Sequence, residues 1–157
     1  ERRIHYFMKG IQDKIPPFIS KNPGLDSGYM IAHVTATSLA SENKTLSHPA
    51  SVDSLPTSGG QEDLVSMAPW AGYKLINIQK NLNRILSIEL IVAGAANNIA
   101  VVKLKPGTGT LPVLKILNKH CFFREGDRSL SAEIESVANI ISSGKLVKAV
   151  SKQIILE

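Results

Sequence analysis

One cysteine, Cys121, stands among 157 residues. That excludes an internal disulfide framework and any multi-cysteine zinc site. Cys121 reads as a small buried apolar residue, and a lone thiol fits a reducing, cytoplasmic setting. Aromatic residues make up only 5% of the chain, and none interleaves with a basic run. The 18 Lys and Arg outnumber 13 acidic residues for a net charge of +5, but they are scattered, so nucleic acid is not the expected partner. The longest apolar run, residues 86–96, is interrupted by Glu89 and is far too short to span a bilayer, so no membrane is expected either.

Catalytic signatures are also missing. His5, His33, His48 and His120 form no His-x-x-x-His or Glu-x-x-His pair, so no metal site is expected and each reads as structural. No Gly-x-Ser-x-Gly elbow frames a serine. Thr57-Ser58-Gly59-Gly60 has no Gly-Lys-Ser/Thr after it, and Gly107-Thr108-Gly109 is too short for a phosphate loop; both read as turns. There is no initiator methionine and no signal peptide. Glu1-Arg2-Arg3 runs straight into helical periodicity, so the expectation is a piece of a longer polypeptide.

What is present is ordinary globular material: 43% hydrophobic and 20% charged residues, in a length suited to one core. Ile4, Phe7, Met8 and Ile11 recur at helical spacing and predict a helix over residues 1–12, stopped by Pro16 and Pro17. Asn22-Pro23-Gly24 is a turn, after which Asp26 or Ser27 caps a helix predicted to reach about His48. Ala32, Ala36 and Ala40 form a small-residue stripe along it, which lets another backbone come close. A third, unusually long helix is predicted over residues 61–96 from Leu64, Met67, Ala71, Leu75, Ile78, Leu82, Ile85, Glu89 and Val92. Pro69 should kink it or mark the start of its regular part. Beyond lie a linker over residues 97–109, in which residues 99–104 form a candidate extended piece, and helices over 111–121, 131–143 and 145–154. Alternation of period two is absent. The expected class is all-α, a helical bundle with one long central helix, divided into a core segment 1–96 that carries a loop at 48–63 and a small-helix region 97–157.

That loop raises the functional question. A Pro/Ser/Gly-rich approach runs into Gln61-Glu62-Asp63 just where the long helix is predicted to begin. Carboxylates suit a helix start, at about 0.3–1 kcal/mol each. One capping residue would serve that purpose, however, and a twelve-residue connection between helices is long enough to point to function.

The residues around it resemble a known family. Asn22-Pro-Gly-Leu-Asp-Ser-Gly-Tyr-Met-Ile-Ala, Leu39-Ala-Ser-Glu-Asn-Lys-Thr-Leu-Ser-His-Pro-Ala-Ser-Val-Asp-Ser-Leu-Pro-Thr-Ser and Gln61-Glu-Asp are similar to the histidine ammonia-lyases, within the aromatic amino acid lyases. Glu1-Arg2-Arg3-Ile4 and Ile88-Glu89-Leu90 fit as well. The match is strong to about Gly94 and weak beyond. The resemblance implies the C-terminal part of a larger, mainly helical lyase, cytoplasmic and homotetrameric, with active sites built from more than one subunit. It implies non-oxidative deamination of L-histidine to urocanate and ammonia. The electrophile would be a methylidene-imidazolone (MIO) group made from an Ala-Ser-Gly triplet, and no such triplet occurs in this chain. Glu62 would be the catalytic, substrate-contacting carboxylate, with Gln61 and Met30 beside the substrate. The phenylalanine-type enzymes carry glutamine at the position of Glu62 and, in plants, lysine at that of Met30, so both residues point to histidine.

The chain departs from the family pattern at Leu64, where histidine is common, at Gly59-Gly60 in place of Ala-Asn, and at Asp26 in place of Asn. The alternatives are a phenylalanine or tyrosine ammonia-lyase or an aminomutase of the same family and, from another class, a non-catalytic helical interaction module.

Overall fold

A computed structural model describes residues 1–12, 14–123 and 126–155. Among these the regular structure is helical, as the missing period-two pattern predicts. Six α-helices follow one another: α1 (Arg2–Met8), α2 (Met30–Leu46), α3 (Ala68–Ile99), α4 (Thr110–His120), α5 (Ser131–Ser142) and α6 (Lys145–Ser151). Short 3-10 turns occur at Pro17–Ile19, Ala50–Val52 and Ser58–Gly60. The described residues hold no strand, and the candidate extended piece after residue 99 is irregular.

The long helix α3 organises the rest. Its 32 residues span about 48 Å. From its middle onward, Asn81, Ile85, Ile88, Val92 and Ala95 bury one stripe, and Ser87, Ile91 and Gly94 bury another beside it. Two buried stripes need two partners. On one side α2 packs, with Asn81 Nδ2 donating to Asn43 Oδ1 at 3.1 Å; on the other lies α5, where Ser87 Oγ donates to the Ile134 carbonyl at 2.7 Å. The predicted alanine stripe supplies the close approach: Ala32 and Ala36 are buried. Arg3 of α1 pairs with Glu89 of α3. Ile4, Met8, Leu117, Cys121 and Val137 complete one core.

Several predicted boundaries move, each for a local reason. The periodicity predicts the start of α3 near Gln61, but the helix begins at Ala68. Pro69 lacks an N–H and its ring would collide with the carbonyl four residues earlier, so it is tolerated only in the first turn, where it stands. A side-chain cap at Asp26 or Ser27 predicts the start of α2 there; it starts at Met30 with no side-chain cap, because Gly28 has φ +57°. Ser131 is likewise the first residue of α5 and not its cap. Helix α1 ends at Met8, short of residue 12, and α3 runs on to Ile99. The Glu125 part of the predicted Glu125-Gly126-Asp127 break lies outside the described residues.

Candidate active site

The loop between α2 and α3 is built outward from α3. Ala50 is buried where the turn Ala50–Val52 packs against the long helix. Lys74 Nζ of α3 donates to the His48 carbonyl, closing the base of the loop. Further out, the Val65 N–H donates to Ser54 Oγ at 2.8 Å, drawing the two limbs together. At the tip, the Thr57 N–H donates to the Glu62 carbonyl at 2.8 Å and the Glu62 N–H returns to Thr57 at 3.4 Å. Between them Gly59 and Gly60 take φ +67° and +91°, conformations that need no Cβ.

Within this turn Thr57 Oγ1 donates to Glu62 Oε2 at 3.2 Å. Residues 55–64 are all exposed, so Glu62 stands in water with one carboxylate oxygen held and the other available to an N–H donor. Gln61 and Asp63 flank it, equally exposed and outside any α-helix. Glu62 and Asp63 lie six and five positions ahead of Ala68, the first residue of α3, outside the first turn within which the helix dipole acts. The helix-start reading therefore does not apply to this pair.

Met30 is the first residue of α2, and the loop leaves from the far end of that helix. Seventeen residues of helix separate the two by about 25 Å along the axis. The structure thus brings Gln61 and Glu62 together at one tip and places Met30 elsewhere. His33 Nε2 lies 3.2 Å from Glu1 Oε1, a bond that holds the Glu1 carboxyl below its usual range, and the His5 and His33 rings are 5.4 Å apart. His120 Nδ1 lies 3.2 Å from Ser136 Oγ. Among the described residues no three His, Cys, Asp or Glu side chains cluster to hold a metal, and no helix is long and apolar enough to cross a membrane.

The three Ser-Gly pairs, at Ser27, Ser58 and Ser143, are preceded by Asp, Thr and Ser, so none is an Ala-Ser-Gly triplet. The turn at Ser58–Gly60 is an exposed surface turn and does not fit a prosthetic group.

A sequence profile described as aromatic amino acid lyase matches residues 1–119. The chain belongs to that family. Curated relatives include the histidine ammonia-lyase of Burkholderia ambifaria, 44% identical over 149 residues, which cover 94% of this chain and 29% of that protein. The histidine ammonia-lyase of Myxococcus xanthus is 40% identical over 150 residues, 96% of this chain and 29% of the relative. Among solved structures of the family, histidine ammonia-lyase from Trypanosoma cruzi superimposes with a TM-score of 0.88 at 36% identity, covering 98% of this chain and 30% of that one. Tyrosine aminomutase from Streptomyces globisporus gives 0.89 at 27% identity, covering 99% and 30%. This lyase-family chain thus spans under a third of the length of the relatives it matches.

One residue escapes any sequence reading. Asp127 accepts the N–H of Ser27 at 3.0 Å and that of Gly28 at 2.8 Å, just ahead of Met30. Nothing local to Asp127 signals a partner 100 positions away.

Proposed function

We propose that this chain is the C-terminal part of a histidine ammonia-lyase, which converts L-histidine to urocanate and ammonia without oxidation. The observation that carries the reading is Glu62 itself, an exposed carboxylate on a pinned loop tip with one oxygen engaged by Thr57. Its second oxygen accepts the imidazole N–H of the substrate. A carboxylate also stabilises imidazolium, which an amide does less well. Gln61 adds a neighbouring amide contact. Met30 offers an uncharged, adaptable thioether beside the substrate ring. The identity pattern supports histidine over other substrates: proteins named histidine ammonia-lyase are 36–44% identical, against 26–30% for tyrosine and phenylalanine aminomutases.

In the reaction the Cα–N bond breaks, a Cβ proton leaves to a base, and a double bond forms between the two carbons. An MIO group, formed outside this chain, would supply the electron-withdrawing centre for that elimination, and the base would also come from outside this chain. This chain's part is to hold and orient the imidazole.

Because α2 separates Met30 from the loop, a pocket that uses both draws them from different chains. The exposed apolar residues Trp70, Tyr73, Leu75 and Ile76 of α3 suit packing of further copies, in the homotetramer that the family resemblance implies. The buried lone Cys121 fits the cytoplasm.

The test is urocanate absorbance with histidine, using the complete polypeptide that carries this chain. Turnover is expected there and not from residues 1–157 alone, where rates above roughly one per second would contradict the reading. The structural likeness to aminomutases supplies the rival outcome: a β-amino acid product in place of urocanate.

A further inference from the structure

We infer that Asp127 is a positioning residue, fixing the backbone from which Met30 reaches the substrate; this rests on the proposed role of Met30. Its two carboxylate oxygens divide the work: Oδ2 takes the Ser27 N–H at 3.0 Å and Oδ1 the Gly28 N–H at 2.8 Å. From the opposite side the Phe18 carbonyl accepts the Tyr29 N–H at 3.0 Å. The three N–H groups before Met30 are therefore all held, two by one carboxylate.

The segment has no slack in other directions. A Cβ at Gly28 would lie 2.4 Å from the Phe18 oxygen, and φ there is +57°. Phe18 and Ile19 both sit at φ +54°, a costly conformation for a β-branched residue, kept in place by burial of the Ile19 side chain. Arg128, next to Asp127, stacks 5.9 Å from the Tyr29 ring centroid and pairs with Glu133 of α5 at 3.1 Å. The start of α2 is thus fastened to the loop before α5. Asp127 lies beyond residue 119, where the family profile match ends.

Asp127 is exposed, so removing its charge leaves no core cavity. Asp127→Asn keeps one acceptor oxygen and turns an NH2 donor toward the other N–H, which breaks the fork with little change of size. The experiment uses the complete polypeptide in six forms: wild type, Asp127→Asn, Asp127→Glu, Met30→Ala, the double variant Asp127→Asn with Met30→Ala, and the surface control Glu42→Gln. Amide exchange at Ser27 and Gly28 is followed together with kcat and KM for histidine and phenylalanine. In Asp127→Asn, exchange at the two amides should quicken about tenfold. The histidine KM should rise about tenfold to a hundredfold, as displaced contacts cost in general. The shift in the histidine-to-phenylalanine ratio should match that of Met30→Ala, add little to it in the double variant, and be partly restored by Asp127→Glu. Glu42→Gln should behave as wild type. If Met30→Ala moves the ratio and Asp127→Asn speeds exchange without moving it, Asp127 is merely structural and the inference is wrong. If Met30→Ala itself leaves the ratio unchanged, the role proposed for Met30 fails first, and the inference fails with it.

Discussion

Thr57 grips Glu62 through both backbone groups and through its hydroxyl, at 2.8, 3.4 and 3.2 Å. An exposed glutamate ordinarily samples many rotamers, and ordering one costs side-chain entropy when a ligand binds. Here part of that ordering is already done by a residue five positions away in the same turn.

Glu62→Gln keeps the shape and removes the charge. A charge-assisted hydrogen bond is worth about 1.5–3 kcal/mol against roughly 1 for a neutral one. In the complete polypeptide kcat/KM for histidine should fall about twofold to thirtyfold, each 1.36 kcal/mol being about a factor of ten. Activity on phenylalanine should fall less or rise. Because Glu62 is exposed and off any helix, the melting temperature should stay at the wild-type value, and Asp63→Asn should change neither quantity. An unchanged histidine-to-phenylalanine ratio in Glu62→Gln would remove Glu62 from the substrate site.

Impaired variants should rescue one another. With Met30 and Glu62 at opposite ends of α2, co-expressed Met30→Ala and Glu62→Gln polypeptides should assemble some pockets carrying both native side chains. Histidine turnover of the mixture should exceed that of either variant alone. Failure of mixed, purified assemblies to exceed the parents would mean that one chain supplies both residues.

Two faces of the bundle should respond differently to substitution. Ala36 is wholly buried within the chain, so Ala36→Leu overpacks the core and should lower stability by about 1–3 kcal/mol in chemical denaturation. Tyr73 is 65% exposed on the protruding half of α3, so Tyr73→Asp should leave stability nearly unchanged and shift sedimentation toward smaller species. Identical sedimentation of wild type and Tyr73→Asp would argue against this face as a contact between copies.

Burial, with Glu133 adding to it, pushes the Cys121 thiol from its ordinary 9.0 up to about 11. The folded chain thus binds this proton more tightly than the unfolded one. The associated stability is complete below about 9 and is lost as pH rises through about 11. At pH 8 the native thiol should react with a thiol reagent about a hundredfold more slowly than after denaturation, following the thiolate fraction. Equal rates before and after denaturation would place Cys121 at the surface.

The helices were legible because their signals are local. Ile85 and Val92 of α3 and Ala32 and Ala36 of α2 follow from spacing alone and are buried as the pattern requires, whereas the spacing does not mark the second buried stripe of Ser87, Ile91 and Gly94. The first half of α3 repeats the same periodicity, yet Leu75 is 63% exposed, because periodicity tells which side is apolar and not whether this chain covers it. The start of α3 was misread because Leu64 and Met67 continue the helical spacing into a loop whose ends are tied by Thr57 and Ser54. The long exposed loop that carries Glu62 was legible in its Pro/Ser/Gly composition, whereas the separation of that loop from Met30 was not, since sequence separation carries no direction.

The fork of Asp127 onto Ser27 and Gly28 also sets an order of events during synthesis. The partners are 100 residues apart. At about 5–20 residues per second, roughly 5–20 s pass between emergence of the start of α2 and of the carboxylate that fastens it. Until then the Ser27 and Gly28 amides have only water, and the first turn of α2 is free to fray. On the nascent chain the backbone ahead of Met30 is consequently fastened late, after α3 has been made, although its own residues precede that helix.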